Sequence, residues 1–152
     1  MTDSPTPDQV AERAYATMHD ADSAAQFVGL NVEEVRQGYA RLTLKVRPEM
    51  LNGHQICHGG YIFILADTAL AHASNSYNQV AVAATASIEF LRSASLDDKL
   101  TGIAEEQTLQ GRNGIYDVRV TNQAGVLIAL FRGKTRLLKG KIVEDLEITT
   151  GT

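Results

Sequence analysis

The chain has 152 residues, of which 44% are hydrophobic and 21% charged, and its formal net charge is −4 at pH 7. This length suits one domain, residues 1–152, whose core is large enough to fold without disulfides. The acidic balance gives no case for a nucleic-acid partner. The single cysteine, Cys57, rules out a disulfide within the chain and fits a reducing compartment. No apolar run near the start resembles a signal peptide, so we expect a cytoplasmic protein.

The N-terminal third predicts one helix and one hairpin. Residues 1–7 are proline-rich and polar, so we expect them to be flexible. Asp8 is placed to cap a helix that runs to about residue 20. A polar connection over 20–25 follows. Alternation of apolar and polar residues then predicts strands at 27–35 and 39–46, joined by a turn at Gln37-Gly38.

The C-terminal half predicts an antiparallel meander of four strands. Gly111-Arg112-Asn113-Gly114 is a strong hairpin signal, and turn residues also occur at 96–98 and 122–125. The strands between these turns are expected at 80–92, 99–109, 115–121 and 126–138. Residues 140–152 are polar and expected to be flexible.

The most distinctive stretch lies between these two halves. Residues 52–60 are polar and glycine-rich, and residues 61–73 are good helix formers that are apolar on every face. A helix that is apolar all round is expected to be buried, which requires a sheet curved around it. The sequence therefore predicts an α+β protein. At about 13 residues the helix is too short for a membrane span, which needs roughly 20, so we expect no membrane partner.

This stretch also carries the candidate chemistry. Gly59 and Gly60 leave free backbone N–H groups at the positive end of the helix dipole. Asp67 is a carboxylate in an apolar helix, which is costly unless it is paired or used. The pattern predicts an oxyanion seat at the start of the helix and an acid two turns later. A purely structural Asp67, satisfied by backbone donors, is the alternative.

Cysteine and histidine residues in this region do not predict a metal site. Cys57, His54 and His58 lack the usual ligand count, so we expect no metal and interpret Cys57 as a small core residue. His72 is expected in the core or at an interface, and His19 on the surface.

The residues that combine these features resemble a known family. The pattern resembles the hotdog-fold acyl-CoA thioesterases of the PaaI type, which act in phenylacetic acid degradation. The resemblance covers about residues 25–138, and the residues that carry it are Asn52, His58-Gly59-Gly60, Asp67, Thr85, 111–117 and 129–134.

The resemblance implies a fold, an activity and an assembly. The fold is a long central helix wrapped by a curved antiparallel sheet. The activity is hydrolysis of aryl-acyl-CoA thioesters, such as phenylacetyl-CoA or its ring-hydroxylated forms, to free acid and CoA. No cofactor is implied, because CoA is part of the substrate. The assembly is a homodimer or a homotetramer built as a dimer of dimers.

Roles for single residues also come from the resemblance. Asp67 matches the catalytic acid, and Gly59 matches the residue whose N–H polarises the thioester carbonyl. Asn52 matches a residue that assists nearby, and His58 a histidine that braces the loop. Thr85 matches a residue that helps to hold the attacking water. The family pattern leaves open whether Asp67 attacks the carbonyl or activates water.

The spacing of Gly59 and Asp67 constrains how they can work together. Eight residues separate them, which is about 12 Å along a helix. Two groups so far apart cannot both touch one carbonyl carbon. If both act at one site, Asp67 comes from a second subunit. Burial is expected to raise the pKa of Asp67, which suits a base.

Phosphates of CoA would be bound by cations. The candidates are Arg112 with Asn113 in the hairpin, and Arg132, Gly133 and Lys134 in the last strand, with Arg92 as another. The alternative for each cation is ordinary solubilising charge.

Two other functions remain open. One is a hotdog hydratase or dehydratase, whose helix motifs are not seen here. The other is a non-catalytic acyl-CoA-binding protein attached to a DNA-binding module, although 25 leading residues are too few for such a module.

Overall fold

The computed structural model describes residues 4–146. It contains three α-helices, α1 (Pro7–Ala21), α2 (Ser23–Val28) and α3 (Gly59–Ser74), and a 3₁₀ turn at Pro48–Met50. The strands are β1 (Asn31–Arg36), β2 (Tyr39–Lys45), β3 (Ala81–Phe90), β4 (Lys99–Gln110), β5 (Asn113–Thr121) and β6 (Leu127–Leu137). None of the described helices is long and apolar enough to cross a membrane.

All six strands form one antiparallel sheet in the order β1-β2-β4-β5-β6-β3. The long helix α3 packs across one face of this sheet. Two glycines let the helix approach: a Cβ at Gly102 would lie 3.2 Å from Leu65, and one at Gly133 would collide with Leu70. The predicted α+β class, with a long helix against an antiparallel sheet, is confirmed.

The N-terminal helices differ from the prediction in two ways. Thr6, not Asp8, caps α1: the Gln9 N–H donates to Thr6 Oγ1 at 3.2 Å, and the Thr6 N–H donates to Gln9 Oε1 at 2.9 Å. The connection expected over 20–25 instead contains the start of α2. Asp22 caps α2, accepting a hydrogen bond from the Ala25 N–H, and Gly29 ends it at φ +87°. The first strand therefore begins at residue 31, not 27, because these two caps override the alternating pattern.

The predicted meander of four strands is wrong at its first strand. Only β4, β5 and β6 form a meander, whereas β3 pairs with β6 at the far edge of the sheet. Residues 91–98 cross from that edge to β4. On the way the Cys57 N–H donates to the Ala94 carbonyl, and the Asp97 N–H donates to the Val46 carbonyl. The crossing segment thus passes the loop that precedes α3.

The expectation that α3 is buried on every side is wrong for one chain. Its sheet-facing residues are fully buried, among them Ile62, Leu65, Ala66, Ala69, Leu70 and Ala73. The other side, which carries Ile64, Asp67 and Ala71, is only half-buried. A single sheet covers one face of a helix, so the second apolar face is left open.

The described part of the C-terminal segment is anchored, although 140–152 was expected to be flexible. The Asn78 side chain donates to the carbonyls of Val143 and Leu146 and accepts a hydrogen bond from the Val143 N–H. Leu146 is buried. Residues 1–3 and 147–152 of the segments predicted to be flexible lie outside the described residues.

Candidate active site

The loop before α3 is shaped by its own hydrogen bonds. Asn52 Oδ1 accepts from the His54 N–H at 2.9 Å and from the Ile56 N–H at 3.4 Å. The His58 N–H donates to the Met50 carbonyl at 2.8 Å. Within residues 4–146, the side-chain amide nitrogen of Asn52 has no acceptor, so its two N–H groups are available to a ligand.

At the start of α3, two of the first three backbone donors are satisfied. His58 caps the helix: its Nδ1 accepts from the Gly60 N–H at 2.9 Å, and its carbonyl accepts from the Tyr61 N–H at 3.0 Å. The Gly59 N–H donates to no acceptor in the described part of the chain. His58 thus has the geometry expected of a residue that braces the loop, and it leaves one free donor at the positive end of the helix dipole.

Asn52 and Gly59 line the same groove. Its volume is about 410 Å³, and its other lining residues are Ile56, Cys57, Ile62, Phe90, Leu91, Arg92, Ser93 and Ala94. This volume lies in the usual range for small-molecule sites. The two residues that carry free N–H donors therefore line one largely apolar groove, and donors placed in this way can stabilise a developing oxyanion.

Asp67 lies outside this groove, on the open face of α3. Its carboxylate is half-buried and forms neither a hydrogen bond nor an ion pair with the described residues. Burial raises the pKa of Asp67 above its usual range, and the negative charge of Asp22 raises it further. An unpaired carboxylate with a raised pKa is chemically available as a base or nucleophile. The structure does not bring it to Gly59 within one chain.

Thr85 is not brought to the groove either. It is exposed on β3 and pairs with Lys134. Side chains alternate along a strand, and Ser87 and Glu89 face the outer side of the sheet, opposite α3, where they line a second groove. Thr85 shares their side. The role predicted for Thr85 in holding a water therefore has no support from its position in one chain.

The hairpin residues Arg112 and Asn113 lie at the other end of the sheet from Gly59. The Arg112 carbonyl accepts from Leu137 N–H, and Leu137 pairs with Ala81 at the start of β3. Gly59 instead touches Phe90 at the end of β3, about 30 Å away along the strand. Within one chain, Arg112 is therefore too far from Gly59 for both residues to contact one small ligand.

The three residues of β6 that were predicted to bind CoA lie in three different environments. Arg132 donates two hydrogen bonds to Asp117, at 2.6 and 2.8 Å, and this cation lowers the pKa of Asp117. Lys134 is exposed. Gly133 is buried against Leu70. The missing side chain of Gly133 makes room for α3, and the CoA-binding role of Gly133 stays a prediction.

His72 and Cys57 are buried, as predicted for core residues. His72 is 2% exposed, and neither of its ring nitrogens has a partner among residues 4–146. Its ring lies 5.9 Å from that of Tyr15 and 6.3 Å from that of His19. Burial lowers the pKa of His72 to about 4. His19, expected on the surface, is instead half-buried beside it.

The Cys57 thiol is shielded by the loop that precedes α3. Burial raises its pKa to about 11, with a smaller contribution from Asp98. Residues 4–146 contain no group of three or more His, Cys, Asp or Glu side chains that could hold a metal ion.

Comparison with known proteins shows the family of this chain. The model of the thioesterase superfamily matches residues 54–129, which include Gly59 and Asp67. A relative from Escherichia coli, acyl-coenzyme A thioesterase PaaI, is 42% identical over 128 residues, covering 84% of this chain and 91% of the relative. This chain belongs to the thioesterase superfamily.

Solved structures extend the comparison. The structure of E. coli PaaI, from the phenylacetic acid degradation operon, has a TM-score of 0.88 at 38% identity, covering 90% of this chain and 99% of that one. A Streptococcus mutans protein bound to acetyl CoA has a TM-score of 0.72 at 30% identity, covering 76% of this chain and 92% of that one. The predicted hotdog fold of the PaaI type is confirmed.

Phe90 is the groove residue that sequence reasoning missed. The pattern places it at the end of a strand, and no feature of the sequence says that its ring lies across Gly59. The reason is that this contact joins the edge strand to the start of α3, thirty-one residues earlier in the chain.

Proposed function

We propose that this thioesterase hydrolyses acyl-CoA thioesters, with aryl-acyl groups such as phenylacetyl or ring-hydroxylated phenylacetyl as substrates, to the free acid and CoA. The observation that carries the proposal is the groove at the start of α3, where the free Gly59 N–H and the Asn52 side-chain amide occur together. The name of the E. coli relative supports the CoA thioester, as does the acetyl CoA bound to the S. mutans protein.

The groove suits the first step of thioester hydrolysis. A thioester carbonyl seated there accepts a hydrogen bond from Gly59 and gains from the positive end of α3 as its oxygen becomes negative. Attack at the carbonyl carbon forms a carbon–oxygen bond, and the carbon–sulfur bond then breaks. The CoA thiolate leaves readily, so a strong general acid is not essential. CoA is part of the substrate, and the proposed reaction uses no separate cofactor.

Asp67 supplies the attacking oxygen directly or removes a proton from water. Both routes need the carboxylate form. In the first, an acyl–Asp67 anhydride forms and water then cleaves it. In the second, water attacks and its proton passes to Asp67. Either route requires Asp67 at the same carbonyl as Gly59, which a single chain does not provide.

The edge strand β3 supports a dimer that would complete the site. Residues 82–87 of β3 are exposed and uncharged, and Val82, Phe90 and Leu91 are 44%, 54% and 50% exposed. Natural edge strands avoid pairing by carrying charge, proline or a cover, and this segment has none of these. We infer that two β3 strands pair across a two-fold axis, covering the open faces of the two α3 helices.

The same pairing would bring Arg112, which is far from the groove of its own chain, close to the groove of the second copy. In an antiparallel β3–β3 pair, the start of one strand lies beside the end of the other. The hairpin with Arg112 and Asn113 lies at the start of β3, so the hairpin of a second copy comes to the Phe90 end of the first. The CoA phosphates could then reach Arg112 of the second copy. A dimer of dimers remains the larger assembly that we propose.

An acyl-CoA panel tests the proposed function. Phenylacetyl-CoA, 4-hydroxyphenylacetyl-CoA, hexanoyl-CoA, acetyl-CoA and crotonyl-CoA are incubated with wild type and with Asp67→Asn. Released thiol is measured with a colorimetric disulfide reagent, and the enoyl absorbance of crotonyl-CoA is followed in parallel. Because Cys57 is buried and its pKa is raised, the protein adds little background. We expect rapid release from the aryl substrates by wild type only.

Two results of the panel would contradict the proposal. No thiol release from any substrate, with binding retained, would favour a non-catalytic acyl-CoA-binding protein. Loss of enoyl absorbance from crotonyl-CoA without thiol release would favour a hydratase.

A further inference from the structure

Phe90 is a large apolar residue that the core does not use. It is the last residue of β3 and is 54% exposed. It pairs with the buried Ala129 and lies on the α3 side of the sheet, as does Ile88, which packs against the core. Its ring therefore extends beyond the core and over the start of α3.

The ring of Phe90 lies directly against Gly59. A Cβ built on Gly59 would be 2.9 Å from Phe90 Cζ and 3.1 Å from Cε1. The far edge of the ring thus occupies the space that any larger residue at position 59 would need. The contact places an aromatic ring beside the free backbone donor of the groove.

Among residues 4–146, the rest of the groove lining includes no second aromatic side chain. Its other apolar lining comes from Ile56, Cys57, Ile62, Leu91 and Ala94. Aliphatic walls accept any apolar group of suitable size, whereas an aromatic pair gains about 0.5–1.5 kcal/mol beyond the area that it buries. This gain corresponds to about 2- to 13-fold in an equilibrium or rate ratio.

We propose that Phe90 is the specificity-determining residue of the acyl pocket, where its ring packs against an aryl group whose carbonyl is seated on Gly59. The inference rests on the proposed function and deepens it by naming the residue that favours aryl over straight-chain acyl groups. Phe90 contacts the acyl group and takes no part in bond making.

The test compares one specificity ratio among four proteins. The ratio is kcat/KM for phenylacetyl-CoA divided by kcat/KM for hexanoyl-CoA, measured for wild type, Phe90→Leu, Phe90→Tyr and Phe27→Leu. We expect Phe90→Leu to lower the ratio about 3- to 10-fold, mainly through phenylacetyl-CoA. Phe90→Tyr keeps the ring, so its ratio should stay within about two-fold of wild type.

Phe27→Leu is the matched control. Phe27 is 86% exposed on α2 and does not line the groove, so losing its ring should leave the ratio unchanged. Thermal melting of each variant confirms folding, and Phe90→Met replaces Phe90→Leu if leucine lowers Tm.

The outcomes separate the inference from the proposed function. An unchanged ratio in folded Phe90→Leu overturns the inference and leaves the thioesterase in place. An equal loss for both substrates also overturns it, because the ring would then shield the groove without selecting substrates. If wild type hydrolyses neither substrate, the proposed function fails, and the role of Phe90 fails with it.

Discussion

Asp67 differs from an ordinary buried carboxylate because nothing in the described chain satisfies it. Structural aspartates accept backbone or side-chain hydrogen bonds, and the pKa of such a group usually falls. The pKa of Asp67 instead rises, first through burial and then through Asp22. A carboxylate that loses solvation without gaining a partner does not stabilise the fold, which favours a catalytic over a structural role for Asp67.

We expect Asp67→Asn to keep the fold and to lower kcat on phenylacetyl-CoA by at least about 10²-fold, the range for losing a base or nucleophile. Asparagine has the same shape and removes a charge that is costly to bury, so Tm should not fall. Steady-state kinetics and thermal melting check both parts. Near-normal turnover by a folded variant would end the catalytic assignment, and a collapsed melt would favour a structural Asp67.

The pH profile gives the same assignment an independent check. A base must be deprotonated, so kcat/KM should rise with pH through the raised pKa of Asp67, above the range of an ordinary aspartate.

Arg112 carries a prediction about the nucleotide part of CoA. We expect Arg112→Ala to raise KM for phenylacetyl-CoA and to spare a small phenylacetyl thioester that lacks the nucleotide, because only CoA has phosphates for the guanidinium to bind. Arg13→Ala is the matched control, since Arg13 is an exposed cation on α1, which packs against β1 at the sheet edge opposite β3. Equal effects of Arg112→Ala on both substrates would exclude a phosphate contact.

At the residue scale, sequence reasoning could find groups whose position follows from local structure. His58, Gly59 and Asn52 lie in one loop and one helix start, so their proximity could be predicted. Gly133 could not be assigned, because its closeness to Leu70 depends on how the helix crosses the sheet. Arg132 likewise looked like a free cation until the register of β5 and β6 paired it with Asp117.

At the scale of elements, α1 packs over the C-terminal half of α3, and the contact includes His72, whose pKa is lowered. His72 contacts Tyr15 and His19 from α1, and both its burial and the charge of His19 lower its pKa to about 4, whereas Asp22 acts in the opposite direction. The unfolded chain binds a proton at this residue near pH 6.5. Between these two values the unfolded state holds more protons, so stability is lost as the pH falls.

We expect His72→Leu to weaken that pH dependence. In wild type, the lowered pKa of His72 should reduce the free energy of unfolding by on the order of 1–2 kcal/mol as the pH falls from 7 to 5. Leucine removes the titrating group. Unfolding by urea at both pH values, for both proteins, measures the difference. The same loss of stability on acidification in His72→Leu would show that other groups govern it.

The positions of most helices and strands in the sequence could be predicted, whereas the pairing of the strands in the sheet could not. Periodicity located α1, α3 and most strands to within a few residues, because it depends on local patterns. The short helix α2 was missed because six residues are too few for a helical period, and only its caps at Asp22 and Gly29 mark it. The position of β3 beside β6 was missed because residues 91–98 contain turn residues yet cross the sheet.

At the scale of the whole molecule, one chain has an open helix face and an unprotected sheet edge on the same side. Both lie next to the groove, since β3 carries Phe90 and α3 carries Gly59 and Asp67. We propose that a second copy covers both surfaces and brings its own Asp67 to the first copy's Gly59. The helix spacing of about 12 Å is the sequence feature from which this could be foreseen.

Complementation between two inactive variants tests this claim most directly. Asn52→Asp keeps the acceptor that holds the loop and removes the donor that faces the groove, and Asp67→Ala removes the carboxylate. The two proteins are unfolded and refolded together in equal amounts, with subunit exchange verified by mass labelling. Random pairing makes half of the dimers mixed, and each mixed dimer has one intact site and one doubly damaged site. We predict recovery to about a quarter of wild-type activity on phenylacetyl-CoA, whereas activity that stays at the average of the two parents would contradict the shared site.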